Sequence, residues 1–245
     1  MKYLWQSRTR YHVHSPFVFN FINEVLRAPS NINDLLPYCS LLQKDSTRIE
    51  IHDFGAGSRK SSSNIRSIKE IYRNSSSHPK KADLIRRICA YELESFKVIE
   101  LGTNLGVTTF ALSQSSKCNQ VWSIEGCPNL FKFSSEKLSE QDKVHLSCSQ
   151  FEQIVPSLLE TQRPEVVYID GNHTYEATLT YFNWIKNESS VELIIFDDIH
   201  WSDGMLKAWK ELILDSEFHV SVELFNLGIL WRRAEQRKEH FVLRY

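Results

Sequence analysis

The fold of this 245-residue chain is decided by residues 97–106, which read KVIELGTNLG. An apolar run of strand length passes Glu100 and turns at Gly102, and Gly106 precedes the next apolar segment. A glycine lets the backbone turn sharply and lets a ligand approach it closely. The amides at the start of the following helix favour anionic groups. We therefore expect a strand, a ligand-binding turn and a helix.

The same alternation of strand and helix continues toward the C-terminus. Apolar runs of strand length lie at residues 97–101, 120–124, 143–147, 165–169 and 191–196, each followed by a segment with helical spacing. Five such units predict an α/β fold with a mostly parallel sheet covered by helices on both faces. Residues 218–224 and 228–233 have no helix between them, so they predict a C-terminal hairpin with one antiparallel strand.

The first 80 residues differ from the rest and predict a mainly helical N-terminal cap. Ser15 and Pro16 have the positions of an N-cap and a first helical residue before an apolar helix. The polar segment RNSSSHPKK at residues 73–81 predicts a boundary, which gives a cap at 1–80 and a second domain at 81–245. A second glycine-containing stretch, DFGAGS at 53–58, is an alternative ligand loop or a tight turn of the cap.

Composition excludes several classes of protein. Hydrophobic residues make up 42% of the chain and charged residues 24%, which excludes a disordered protein. No apolar run approaches the ~20 residues of a membrane span, so no membrane partner is expected. The five cysteines are odd in number and lack CxxC spacing, which favours the cytoplasm. The net charge of −1 is unevenly distributed, because residues 1–80 have a surplus of Lys and Arg, which predicts either a mildly basic surface or a cap that attracts an anionic substrate. The lack of a nucleic-acid motif makes a nucleic-acid partner unexpected.

An acidic residue ends the second predicted strand of the 81–245 region. Glu125 follows Gly106 by 19 residues and precedes Gly126. A carboxylate at this distance from a glycine turn is typical of one that binds ribose hydroxyls.

More acidic residues follow the fourth and fifth strands. Asp170 and His173 follow the fourth, whereas Asp197, Asp198 and His200 follow the fifth. Neighbouring strands lie about 4.8 Å apart, so these side chains are expected to gather at one edge of the sheet. Three carboxylates that close repel one another unless they are protonated, hydrogen-bonded or bound to a cation. Such an oxygen cluster suits Mg²⁺, Ca²⁺ or Mn²⁺ better than zinc.

The pattern E-x-G-x-x-x-G, followed by a strand that ends in Glu, resembles class I S-adenosylmethionine-dependent methyltransferases over about residues 81–235. The resemblance implies a Rossmann-like doubly wound sheet. It also implies that Glu125 binds the ribose and that Asp170 faces the methyl donor. The cofactor-binding residues that it implies are Glu100, Gly102, Thr103, Gly106, Glu125, Gly126, Gln150, Phe151 and Asp170.

The stretch IDGNHTYE at 169–176 and the pair Asp197-Asp198 resemble metal-dependent O-methyltransferases that act on catechols and macrolide-type sugars. The resemblance implies that Asp170, Asp197 and Asp198 hold Mg²⁺ or another divalent cation. Asn172 departs from the third acid of many relatives. A methyltransferase without metal would use Asp170 or His173 as general base. The catalytic candidates are Asp170, His173, Asp198 and His200.

These observations predict an S-adenosylmethionine-dependent methyltransferase that methylates an oxygen of a small hydroxylated acceptor. Two alternatives remain at this stage. One is a nucleotide-binding module without catalysis, in which the acidic cluster is structural. The other is an NAD-dependent oxidoreductase, although the chain lacks the GxGxxG pattern in this region.

Overall fold

A computed structural model describes residues 13–52 and 64–244 of the chain. The alternative glycine loop at 53–58 lies outside the described residues.

The N-terminal region is mainly helical, as predicted. Ser15 is the N-cap of the first helix, and Pro16 is its first residue. Proline fits this position because the N–H that it lacks would have no partner within the helix. The elements are α1 (Pro16–Phe21, continued by a π-helical turn over Ile22–Leu26), α2 (Leu36–Lys44), β1 (Arg48–Glu50), β2 (Ile65–Ser67) and α3 (Ile68–Ser75).

The remaining elements alternate as the sequence indicates. The helices are α4 (Pro79–Cys89), α5 (Val107–Ser113), α6 (Pro128–Lys137), α7 (Phe151–Gln162), α8 (Tyr175–Lys186) and α9 (Asp203–Leu212). The strands are β3 (Phe96–Leu101), β4 (Cys118–Glu125), β5 (Val144–Cys148), β6 (Val166–Ile169), β7 (Leu193–Phe196), β8 (Val220–Leu224), β9 (Leu227–Trp231) and β10 (Glu239–Val242).

The main sheet has the order β10-β8-β9-β7-β6-β3-β4-β5. Strand β9 is antiparallel to both of its neighbours, β7 and β8, and the other pairs are parallel. The predicted α/β sheet with one antiparallel strand from a C-terminal hairpin is therefore confirmed. Strand β10 lies beyond the predicted hairpin, in the C-terminal tail, where the side chains of Phe241 and Leu243 are buried.

Both faces of the sheet are covered. Val98 and Tyr168 belong to one hydrophobic cluster, whereas Ile99 and Val167, their neighbours along β3 and β6, belong to another. Successive side chains of a strand point to opposite faces, so the two clusters lie on opposite sides of the sheet. The strands consequently read as continuous apolar runs, which is typical of a parallel sheet buried on both faces.

The N-terminal segments contact this core at two separate places. The rings of Phe17 and Phe21 in α1 pack against Tyr91 and Trp231. Trp231 pairs with the first residue of β7, so α1 lies near the amino ends of the parallel strands. Helix α2 instead approaches their carboxyl ends, where the Tyr38 hydroxyl donates to the carbonyl of Leu105 over 2.7 Å.

The boundary predicted at residue 80 falls within α4, which Pro79 begins. The division into a cap at 1–80 and a domain at 81–245 stays a prediction. Among the described residues, no helix is long and apolar enough to cross a membrane.

Candidate active site

Three strand ends meet at one edge of the sheet. Leu101, Ile169 and Phe196 are the last residues of β3, β6 and β7, and they lie in register. The amide of Asp170 donates to the carbonyl of Leu101, and the amide of Asp197 donates to the carbonyl of Ile169. The register therefore places the glycine turn after β3 beside the acidic residues that follow β6 and β7.

The glycine turn fits tightly against β6. Gly102 has a φ of +107°, and a Cβ atom there would lie 2.2 Å from the carbonyl oxygen of Asp170. Only glycine is compatible with both the left-handed conformation and this close approach. The turn is therefore fixed relative to the backbone of Asp170.

Glu125 organises the loops around this turn. Its Oε2 atom accepts the Asn104 amide proton over 2.8 Å, and its Oε1 atom accepts that of Cys127 over 2.8 Å. Both carboxylate oxygens of Glu125 therefore face the backbone of the two loops. The strand-end position of Glu125 between the two loops is the one that the sequence predicted.

Glu100 lies in the interior. Its Oε2 atom accepts hydrogen bonds from Thr109 over 2.5 Å and from Ser123 over 2.7 Å, while Oε1 is buried without a hydrogen-bond partner. Burial raises the pKa of Glu100 to about 7 against the opposing effect of these two hydrogen bonds. The side chain is 1% exposed, so its direct contact with a cofactor stays a prediction.

The raised pKa of Glu100 predicts a pH-dependent stability. Between the usual pKa of 4.5 and the raised value, the folded chain binds more protons than the unfolded chain, so stability falls as pH rises through this range. The Glu100→Gln variant has no titratable group at this position. Between about pH 4 and about pH 8, we therefore expect its free energy of unfolding to rise by up to ~3 kcal/mol relative to that of the wild type. Urea unfolding of both proteins across this range measures the difference. If the difference in unfolding free energy between the two proteins does not change with pH, the raised pKa of Glu100 is contradicted.

Two predicted cofactor residues lie where α7 begins. Gln150 is the N-cap of the helix and is exposed. The ring of Phe151 contacts Gly171, where an added Cβ would lie 2.9 Å from ring carbon atoms. The same ring packs edge-on against Tyr181 at 5.6 Å. Phe151 is thus held beside the loop that carries Asp170.

Asp170 and Asp197 are joined through Tyr168. The Tyr168 hydroxyl lies 2.8 Å from Asp197 Oδ2 and 3.0 Å from Asp170 Oδ2. The hydroxyl has one proton, so it can donate to only one carboxylate at a time. Burial and the charge of Asp197 raise the pKa of Asp170 well above its usual range, against the effect of Lys81. The predicted gathering of these two carboxyl groups is therefore present.

Lys81, like Tyr168, is a residue of this cluster that the sequence patterns did not predict. Its Nζ atom lies 2.5 Å from Asp197 Oδ2, and the side chain of Asp197 is 0% exposed whereas that of Lys81 is 31% exposed. Burial alone would lower the pKa of Lys81, but the charges of Asp197, Asp170 and Asp198 outweigh it and raise the pKa. An ammonium group thus lies within the acidic cluster.

The two candidate histidines lie in different surroundings. His173 Nε2 lies 3.6 Å from Asp170 Oδ1, so it belongs to the cluster. His200 Nε2 lies 2.9 Å from Glu223 Oε1, and Glu223 also accepts the indole proton of Trp209. The structure therefore places His173 with Asp170, whereas it pairs His200 with a residue of β8.

The predicted metal ligands are not arranged as a metal site. Within residues 13–52 and 64–244, no group of three or more His, Cys, Asp and Glu residues could hold a metal ion. Asp197 already has three partners, because Oδ2 accepts from Tyr168 and Lys81 and Oδ1 accepts the Asp198 amide proton over 2.7 Å. The residues Asp170, Asp197 and Asp198 therefore do not fit the predicted divalent cation in this arrangement.

Residues 99–199 match the protein family described as a methyltransferase domain. The chain contains a methyltransferase domain. The matched range runs from β3 to just beyond Asp198, so it includes the glycine turn, Glu125 and the acidic cluster. The prediction of a class I methyltransferase is thereby confirmed. A search of curated proteins gives no match.

Several solved structures share the fold. Rv0187 from MTB, determined with cofactor bound, has a TM-score of 0.58 and 13% identity over 91% of this chain and 99% of that one. A provisionally named caffeoyl-CoA O-methyltransferase from Staphylococcus aureus has a TM-score of 0.56 and 14% identity over 67% and 88%. The O-methyltransferase from Bacillus cereus in complex with SAH has a TM-score of 0.54 and 11% identity over 86% and 95%.

Proposed function

We propose that this methyltransferase binds S-adenosylmethionine at the carboxyl ends of β3 and β4 and methylates a hydroxyl oxygen of a small acceptor. The observation that carries the proposal is the meeting of the Gly102 turn, Glu125 and the Asp170 cluster at one sheet edge. All three lie within the matched domain. The SAH complex of the Bacillus cereus O-methyltransferase, which shares the fold, supports the choice of cofactor and of oxygen as acceptor atom.

The residues fit the parts of this cofactor. Gly102 lets the chain turn sharply after β3 and pass close to the backbone of Asp170, so the turn would lie beside the bound cofactor. Glu125 would accept hydrogen bonds from the ribose hydroxyls, and Gly126 would let the adenosine approach. Phe151 would lie against the adenine, with Gln150 beside it. Thr103 and Gly106 belong to the same turn, so they would surround the amino-acid part.

When bound, S-adenosylmethionine supplies an electrophilic methyl group. The acceptor oxygen forms a bond to the methyl carbon as the carbon–sulfur bond breaks, which gives a methyl ether and S-adenosylhomocysteine. The acceptor proton passes to the His173–Asp170 pair, whose atoms lie 3.6 Å apart. The remaining contribution of the protein is to orient the two reactants and to exclude water.

A divalent cation at Asp170, Asp197 and Asp198 is the second form of this proposal, taken from the sequence resemblance. The contacts of Asp197 do not favour it, and the proton transfer above needs none. Retention of activity after treatment with EDTA would contradict the metal-dependent form.

Calorimetric titration tests the cofactor. We expect S-adenosylhomocysteine and S-adenosylmethionine to bind with one site per chain and NAD to give no heat of binding. Incubation with labelled S-adenosylmethionine and a panel of small phenols, catechols and sugars should then yield a methyl ether. Binding of NAD instead would favour an oxidoreductase, and cofactor binding without transfer to any acceptor would favour a binding module.

A further inference from the structure

We infer that the Lys81 ammonium group is the built-in cation of the acidic cluster and occupies the place that a divalent metal ion would take beside Asp197. The inference rests on the proposed function, because it concerns which cation neutralises the carboxylates of the same site. It assigns to Lys81 the role of balancing the charge of Asp197.

Lys81 lies on the face of α4 that packs against the sheet. Lys81, Leu84, Ile85 and Ile88 recur at helical spacing, and the three apolar residues are buried in the same cluster as Tyr168. This face of α4 therefore packs on the side of the sheet from which Tyr168 points. Residues two apart on a strand share a face, so Asp170 points to that side as well. The helix therefore places the Lys81 side chain beside the acidic cluster.

The charges of Lys81 and Asp197 compensate each other. Lys81 lies in the first turn of α4, where the helix dipole disfavours a cation. A lysine there needs a compensating partner to be drawn inward, and Asp197 supplies one at 2.5 Å. A fully buried carboxylate in turn requires a positive or hydrogen-bonding partner, because an unpaired buried charge is strongly destabilising.

Both oxygen atoms of the Asp197 carboxylate already have partners. Lys81 and Tyr168 contact Oδ2 of Asp197, and the backbone amide of Asp198 contacts Oδ1. A divalent ion at this carboxylate would meet the ammonium group of Lys81 as a like charge. Either the lysine or the metal can occupy the position, and the structure has the lysine there.

Binding of Mn²⁺, followed by electron paramagnetic resonance, tests the inference without an acceptor. We expect wild-type protein to bind no Mn²⁺ at millimolar concentration. Lys81→Met removes the charge and should create one Mn²⁺ site per chain, which Asp197→Asn should abolish in the double variant. Lys80→Met is the matched control, because Lys80 is the exposed neighbour in the same helical turn, and it should behave as the wild type.

Two outcomes would overturn the inference. One is a wild-type protein that binds Mn²⁺ and loses it in Asp197→Asn. The other is a folded Lys81→Met protein that binds none. If Lys81→Met does not fold, Lys81→Gln replaces it, since its amide can still donate to Asp197 while the charge is gone. Titration with S-adenosylhomocysteine is performed separately, so a failure of the proposed function is recognised independently of the Mn²⁺ result.

Discussion

Replacing Gly102 with alanine is expected to destabilise the protein by about 3 kcal/mol or more. Two costs add at this position. A non-glycine residue in the left-handed region costs roughly 1–2 kcal/mol, and the φ of Gly102 is +107°. The new Cβ would also lie 2.2 Å from the Asp170 carbonyl oxygen, so the backbones of β3 and β6 must separate. Overpacking of this kind typically costs a further 1–3 kcal/mol.

The displaced atom is the carbonyl oxygen of Asp170, so the substitution should also disturb the proposed active site. We expect Gly102→Ala to lower the melting temperature by roughly 6–12 °C and to weaken S-adenosylhomocysteine binding at least tenfold. Thermal unfolding and calorimetry at a temperature where the variant is folded measure the two effects.

Gly204→Ala is the matched control. Gly204 lies in the first turn of α9, and its nearest contact for an added Cβ is 3.5 Å, an ordinary van der Waals distance. Alanine favours a helix by up to about 1 kcal/mol over glycine, so this variant should be as stable as the wild type or more stable. Equal stability of the Gly102 and Gly204 variants would contradict the geometry of the turn.

The sequence predicts the sheet and the positions at its edge because both depend on local patterns. Apolar runs of strand length, separated by helical segments, are sufficient for the order of elements. Once the sheet is parallel, every residue that follows a strand lies at one edge, which is why Glu125, Asp170 and Asp197 could be placed without tertiary information. Strand β10 was missed because its pattern is short and lies in a charged tail.

Lys81 and Tyr168 were not predicted, because their roles depend on which helix packs over which face. The sequence nevertheless contains an indication of each role. Tyr168 lies in β6 and Asp170 directly follows this strand, so the alternation of side chains places the two on one face. Lys81 lies on the apolar face of α4 and in a turn where its charge is unfavourable, which indicates a partner outside the helix.

The role proposed for Glu125 predicts the second large effect. Glu125→Gln replaces one carboxylate oxygen with an amino group, so one of the backbone amides of Asn104 and Cys127 would face a donor instead of an acceptor. A ribose hydroxyl would lose its charged acceptor at the same time. Hydrogen bonds to a charged group contribute about 1.5–3 kcal/mol each. We therefore expect the Kd for S-adenosylhomocysteine to rise about 100-fold.

The control for Glu125→Gln must remove the same charge nearby without touching the loops. Glu136→Gln meets this condition, because Glu136 is exposed near the end of α6, the helix that follows Glu125. We expect it to change the Kd less than twofold, since salt screens an exposed charge that makes no contact with the two loops. If both variants bind S-adenosylhomocysteine as tightly as the wild type, Glu125 organises the loops alone and the ribose is bound elsewhere. If only Glu125→Gln binds S-adenosylhomocysteine more weakly, and its melting temperature is close to that of the wild type, the carboxylate is assigned to the cofactor. Disorder of the loops by itself would lower the affinity and the melting temperature together.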